Sequence, residues 1–402
     1  MRTPLITDYD KALIITHTDL DGYGSGALLF RSLRALGFEE DNIKIVNTGY
    51  EKLPIESEYK LTLISDISIA TDDAAKQLIE YIKLPGTMLF WFDHHQSSID
   101  MYEKYPLLKD ILGIRDVRAC GTMLCWMFYQ IVSQEKMVAG EDKYDLNNKI
   151  IDVLKGVDVG AAIRGPGIGV LSEYASREGY RYDDTSKSSR IRSTPYLILL
   201  TDDYDRFVLA IEESKYLMEA FNSCPIVPKN NKDPFWTNRF MRLTKNNDIV
   251  KTMLSTGRDL YNYRNILFLN QLLTYGFIAN FDMSEKNATA KQDVICMCSV
   301  AKGSLQFGDL LKSSKSHPYF NYACVYSYKD DQVSGSIYFS ANNKGVDDLM
   351  NAEAVCKKYS GGGHPEAAGF VYNKFPFVNV RPLPDGVKKY IQDQIRDIFN
   401  DL

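Results

Sequence analysis

Histidine is scarce in this chain. Only five occur in 402 residues, and four of them (His17, His94, His95 and His364) lie in stretches rich in carboxylates or glycine, leaving His317 in an ordinary "KSHPYF" loop. Imidazole used so sparingly points to ligation or proton transfer. The seven cysteines are scattered and form no C-x-x-C, which excludes a disulfide framework and a zinc knuckle; they read as small buried apolar residues. Basic charge is not in excess. A formal net charge of -5 excludes a protein that grips long duplex DNA by phosphate neutralisation, so a nucleic-acid substrate would have to be short. No segment approaches the roughly 18 uninterrupted apolar residues needed to cross a bilayer, and "MRTPLITDYDKALII" lacks a signal-peptide layout, so no membrane association and a cytoplasmic location are expected. Repeats of 20 to 50 residues and low-complexity tails are also missing.

What is present is a rhythm. "KALIITHTDLD", "KLTLISDIS" and "TMLFWFDHH" are β-branched or aromatic runs that each finish on an acidic or histidine cluster, and "NIKIVNTGY" fits a further strand. Between them "SGALLFRSLRALGF", with Gly37 near its end, and "DDAAKQLIEYI" have helical spacing. Strand, helix, strand at this interval predicts an α/β fold: a parallel sheet with helices on both faces. Ligands of such sheets bind beyond the carboxyl ends of the strands, where every cluster falls. "CGTMLCWMFYQIV" reads as a buried helix with Thr122 near its start, and "LNNKIIDVLKGVDVG" as a helix running into a turn at Asp158. From about residue 200 longer helical patterns take over, such as "YLILLTDDYDRFVLAIEESKYLMEAF"; "CPIVPKNNKDPFW" is the best loop. A second strand-rich region starts near "DVICMCSV". The expected domains are residues 1–225, a helical connector at 226–280, and a smaller α/β domain at 281–402.

Hard divalent cations take carboxylate oxygens, with imidazole added for manganese, iron or zinc. His17, Asp19, Asp21, Asp66, Asp93, His94, His95 and Asp158 supply more ligands than one ion needs. Two ions roughly 3.5 to 4 Å apart would use the set well. Asp19 and Asp21, on alternate positions of an extended turn, can face different ions. Blander readings exist for each part: "DGYGSG" alone is more often a tight turn than a phosphate cradle, Asp66 could cap a helix, and Asp158 could fill a turn.

Taken together, "HTDLDG" (17 to 22), "SDIS" (65 to 68), "DHH" (93 to 95), "CGT" (120 to 122), "VD" (157 to 158) and "GGGH" (361 to 364) resemble the DHH phosphoesterase family with its DHH-associated C-terminal domain, most closely the short-oligoribonuclease (nanoRNase) branch. The resemblance implies two Mn2+ ions, with Mg2+ or Co2+ as substitutes. One would be held by His17, Asp19 and Asp66, the other by Asp21, Asp66, His94 and Asp158. Asp93 would orient its neighbours, and His95 would face the scissile phosphate as a catalytic group. The implied reaction is hydrolysis of short oligoribonucleotides, about two to five nucleotides, to mononucleotides through a hydroxide bridging the ions.

The glycines of "GGGHPEAAGF" let backbone N–H groups approach an anion, so Gly361, Gly362, Gly363 and His364 are expected to bind substrate. Arg118, just ahead of "CGT", is a further candidate, with Arg115 beside it. One departure stands out: where relatives carry an arginine in a pattern like V-S-x-R-S, this chain has "SGSIYFSANN", with Tyr338 or Phe339 near that place. Arg177, Arg181, Lys187, Arg190 and Arg192 read first as a solvated loop and second as a flank of the cleft. Other readings of the same residues are a cyclic-dinucleotide phosphodiesterase, a 3'-phosphoadenosine 5'-phosphate phosphatase, and a nucleotide sensor without turnover. A homodimer is compatible with all of them.

Overall fold

The computed structural model describes residues 5–49, 53–139, 150–151, 154, 194–223, 226–282, 294–298, 322–329, 331–339, 350–363 and 367–401. The chain divides into two compact units, Met1–Arg258 and Asp259–Leu402. Among the described residues no helix is long and apolar enough to cross a membrane.

In the first unit β1 (Ala12–Thr16), β2 (Ile43–Asn47), β3 (Leu61–Ser65) and β4 (Met88–Phe92) form a parallel sheet in the order β2-β1-β3-β4. Every residue of β1, β3 and β4 is buried, as expected of strands covered on both faces. The two faces are separated by the pleat. Ala12, Ile14, Leu61, Leu63, Phe90 and Phe92 join a core with α1 (Leu20–Ala35) and α4 (Gly121–Ala139), while Leu13, Ile15, Ile64, Leu89 and Trp91 join one with α2 (Asp72–Lys83) and α3 (Gln96–Lys104). The short segment after α3 adds parallel bridges, Phe90 with Leu112 and Asp93 with Arg115. The chain moves from β1 to one side for β2 and returns to the other side for β3. That reversal opens a crevice between the carboxyl ends of β1 and β3.

The glycines following β1 are helical. Gly22, Gly24 and Gly26 all lie inside α1, which Asp19 caps by accepting the Gly22 N–H at 2.9 Å. A Cβ on Gly22 would lie 2.2 Å from the His17 carbonyl oxygen, one on Gly24 2.4 Å from Thr122 Oγ1, and one on Gly26 2.4 Å from Asn231 Nδ2. Their function is close packing of α1 against its surroundings, not a phosphate-cradling turn.

The long pattern beginning "YLILLTDDYDRF" does not run on as one helix. It breaks into α5 (Tyr196–Asp205) and α6 (Glu212–Ser223), with Phe207 and Leu209 in the left-handed region at φ 57° and 50°. The break is held by Asp203, whose carboxylate accepts the N–H groups of Ala210 (2.9 Å) and Ile211 (3.1 Å). Such local competition with helical hydrogen bonding is what a short acidic side chain does well.

Helix α7 (Asp248–Tyr275) contains the boundary between the units and ends at Gly276, so that strand β5 (Phe277–Phe281) occupies residues at the end of the 226–280 interval. The second unit is a seven-stranded mixed sheet, with β6 (Val294–Cys298), β7 (Tyr322–Lys329), β8 (Gln332–Phe339), β9 (Gly362–Gly363), β10 (Ala367–Tyr372) and β11 (Phe377–Pro382) in the order β11-β5-β6-β7-β8-β10-β9. Among its described strands only β6 and β7 are parallel neighbours. Helix α8 (Ala352–Lys358) packs Ala352, Val355 and Cys356 on the sheet, and α9 (Asp385–Asp401) buries Val387 and Ile391. Cys120, Cys125, Cys296, Cys324 and Cys356 are buried free thiols; Cys298 is exposed.

Candidate metal centre

Three neighbouring strands deliver the site. His17 and Asp19 follow β1, Asp66 follows β3, and Asp93, His94 and His95 follow β4, all at the carboxyl edge. Asn47, ending β2, donates its amide to Thr16 Oγ1 (2.8 Å) and to the His17 carbonyl (3.0 Å), fixing the end of β1. Asp66 is held at φ 56°, a left-handed conformation that Asp tolerates better than most residues, with its N–H on the Phe92 carbonyl.

The side chains form two groups that meet. His17 Nδ1 lies 2.7 Å from Asp19 Oδ2 and 3.9 Å from Asp66 Oδ2. His94 Nε2 lies 3.2 Å from Asp66 Oδ1, 3.2 Å from Asp205 Oδ2 and 3.8 Å from Asp21 Oδ2. His17, Asp19 and Asp66 thus make one potential cation site and Asp21, His94 and Asp205 another; Asp66, His94 and His95 make a third set overlapping both. Asp66 touches both His17 and His94.

Asp205 is the residue that the sequence reading missed. It ends α5, inside the run "TDDYD", and the signal was available: three carboxylates in four residues closing an apolar helix. The expected ligand Asp158 lies outside the described residues, as do His364, His317 and the Arg177–Arg192 cluster.

Asp21 is held from a distant element. Its Oδ2 accepts the Gly121 N–H at 2.7 Å and its Oδ1 the Thr122 N–H at 2.6 Å, while Thr122 Oγ1 donates to the Asp21 carbonyl. The amino terminus of α4 is therefore capped by a carboxylate from α1, a placement the helix dipole favours. Gly121 is required here, since a Cβ would come 2.9 Å from both Asp21 Oδ2 and Asp66 Cβ.

Crowding controls the proton affinities. Burial, reinforced by the charge of Asp19, pushes Asp21 up to about 6. Burial and the charges of Asp21 and Asp19 raise Asp66 and Asp205 well above the usual carboxylate range. Burial alone would also raise Asp19, but its hydrogen bond to His17 and the imidazole charge hold it lower than normal. For His95, burial opposes the charged form and is outweighed by Asp93, whose Oδ1 lies 2.7 Å from His95 Nδ1, so that the imidazole is raised.

The donor set fits divalent cations. Among the described residues the buried Oδ2 atoms of Asp66 and Asp205 receive no hydrogen bond, although each carboxylate lies beside an imidazole and other carboxylates. Buried carboxylate oxygens without a donor, set among imidazoles, are the arrangement a hard or borderline cation stabilises.

The other expected residues are placed as follows. Arg118 binds Asp116 side-on, through Nε at 2.8 Å and Nη2 at 2.5 Å. Arg115 is buried, donating to Tyr102 Oη at 2.9 Å and lying over the Trp91 ring, a structural role. In the second unit Gly362 and Gly363 pair with β10. A Cβ on Gly361 would strike the Gly369 carbonyl oxygen at 1.9 Å and Gly363 has φ 145°, whereas Gly362 has open space. Backbone packing therefore accounts for two of the three glycines. Of Tyr338 and Phe339, both in β8, Tyr338 is buried.

No family model matches the chain, and no curated protein does. Solved structures show distant likeness. A protein described as a pGpG-specific phosphodiesterase, PggH from Vibrio cholerae, has 12% identity and TM-score 0.35, covering 98% of this chain and 100% of that one. RecJ from Thermus thermophilus in complex with Mn2+ has 14% identity and TM-score 0.39, covering 99% of this chain and 53% of that one. An exopolyphosphatase-related protein from Bacteroides fragilis has 10% identity and TM-score 0.36, covering 96% of this chain and 92% of that one. Similarities this distant do not identify a family for this chain.

Proposed function

We propose that the chain is a divalent-cation-dependent phosphodiesterase that hydrolyses short oligoribonucleotides to mononucleotides, with Mn2+ as the working ion. The observation that carries this reading is the convergence of His17, Asp19, Asp21, Asp66, His94 and Asp205, with Asp66 and His94 within 3.2 Å of each other at the meeting of two ligand groups. A bound cation pair supplies a lowered water pKa and charge neutralisation at a phosphoryl group.

The protein's own groups account for the rest. Asp66, in reach of both His17 and His94, would be shared between the ions; His17 and Asp19 would complete one site, and Asp21, His94 and Asp205 the other. Asp93 orients His95 through the 2.7 Å contact to Nδ1 and favours its charged form. His95 Nε2 is then suited to give a proton to the departing oxygen. Arg118 and the Gly361–His364 segment are assigned to the substrate on the family resemblance.

The test is product analysis by mass spectrometry. The protein, with Mn2+, is incubated in parallel with a linear diribonucleotide, a cyclic dinucleotide and 3'-phosphoadenosine 5'-phosphate. Mononucleotide release from the linear dinucleotide, lost in EDTA, is expected. Preferential cleavage of either other compound would replace the substrate assignment, and tight binding without turnover of any would replace the enzyme by a sensor.

A further inference from the structure

Asp202 stands outside the ligand groups, yet it is fully buried and tied to the place where one of them is held. Its Oδ1 accepts the Cys120 N–H at 2.6 Å, the residue before the α4 terminus whose next two N–H groups hold Asp21. Its carboxylate also takes Arg206 side-on, with Oδ2 to Nη2 at 2.8 Å and Oδ1 to Nε at 3.1 Å. Asp202 and Asp205 belong to one helix, α5, roughly one turn apart.

We infer that Asp202, neutralised by Arg206, is a positioning residue: it docks α5 to the start of α4 so that Asp21 and Asp205 converge on His94 as one cation site. The inference rests on the proposed cation-binding function. Asp21 takes two backbone donors, Gly121 and Thr122, from the start of α4, so a shift of that terminus moves its carboxylate. The adjoining Cys120 N–H is anchored on Asp202. Asp205 depends on the same joint, because it is carried by the helix that Asp202 anchors. A buried, charge-assisted hydrogen bond of this kind sets direction as well as distance. His17 and Asp19 follow β1 and take no part in that joint, so the two cation sites should respond differently.

The experiment is calorimetric titration of the full chain with Mn2+, comparing wild type with Asp202→Asn and Arg206→Gln. Asp202→Asn keeps the shape and an acceptor for Cys120 but gives up the charge. Wild type should bind two ions. In each variant one binding event should weaken about 10- to 100-fold, the cost typical of removing the support behind a ligand, while the other stays within about twofold. A purely structural role would lower the melting temperature and leave the two affinities moving together; that result overturns the inference. So does an unchanged titration. If Asp202→Asn loses its native circular dichroism, Arg206→Gln decides alone by the same criterion. Wild type that binds no Mn2+ would overturn the cation-site reading itself, which separates the two failures.

Discussion

The carboxylates of the centre are set against one another, and that has a sign in solution. Asp21 sits at about 6 in the folded protein against an ordinary 3.8, so its contribution to stability is complete below pH 3.8 and is lost as pH rises through about 6. Asp66 and Asp205, also raised, act in the same direction, as does His95, whose contribution is lost above its raised value. Asp19, lowered, contributes fully above 3.8 and loses its contribution only as pH falls below that. In EDTA the melting temperature should therefore fall as pH rises from about 4 through about 6, and saturating Mn2+ should abolish the fall, since cations compete with these protons. Scanning fluorimetry across that range checks it; a flat profile in EDTA would contradict the assignment. Glycines offer a second contrast. Gly121→Ala places a methyl against Asp21 and Asp66 and should cost about 1 to 3 kcal/mol in urea denaturation and most of the Mn2+ affinity. Gly362→Ala meets nothing within 4 Å and should change stability by less than about 0.5 kcal/mol. A drop in its turnover alone would support backbone contact with substrate there.

At the level of elements, α5 shows how three neighbouring carboxylates are put to three uses. Asp202 anchors the start of α4, Asp203 ends the helix by taking the Ala210 and Ile211 donors, and Asp205 reaches His94. Asp203→Ala would leave two backbone N–H groups of the 206–211 turn without their acceptor, at about 1 to 3 kcal/mol each if they stay buried. The urea midpoint should fall accordingly, and limited proteolysis should cut first between α5 and α6. If α5 and α6 instead ran together as the amphipathic pattern suggests, the substitution would be neutral. The pattern misled because hydrophobic spacing registers which face is buried and is silent about a side chain that competes for the backbone.

For the whole molecule, the two units have separate cores, and among the described residues only the first holds the ligand set. Ligand that binds the native form alone stabilises by mass action, about 2.7 kcal/mol at a hundredfold excess over Kd. Differential scanning calorimetry should resolve two transitions, and Mn2+ should move only the one belonging to residues 1–258. A uniform shift of both would mean that the units unfold together.

Strand, helix and ligand types were readable because they are local. A buried parallel strand has to be apolar along its length, so "ALIIT", "LTLIS" and "MLFWF" declare themselves, and several acidic and histidine clusters at the ends of such runs together point to a site. Which clusters meet was not local. The pairing order β2-β1-β3-β4 brings His17 beside Asp66 and Asp66 beside His94, and the docking of α4 and α5 brings Gly121 to Asp21 and Asp205 to His94. The nearest of those pairs along the chain, Asp66 and His94, is already 28 residues apart, and no spacing rule reaches so far. Asp205 was missed for that reason: the acidic run closing α5 marks a cluster, but only packing selects which of its three carboxylates meets His94.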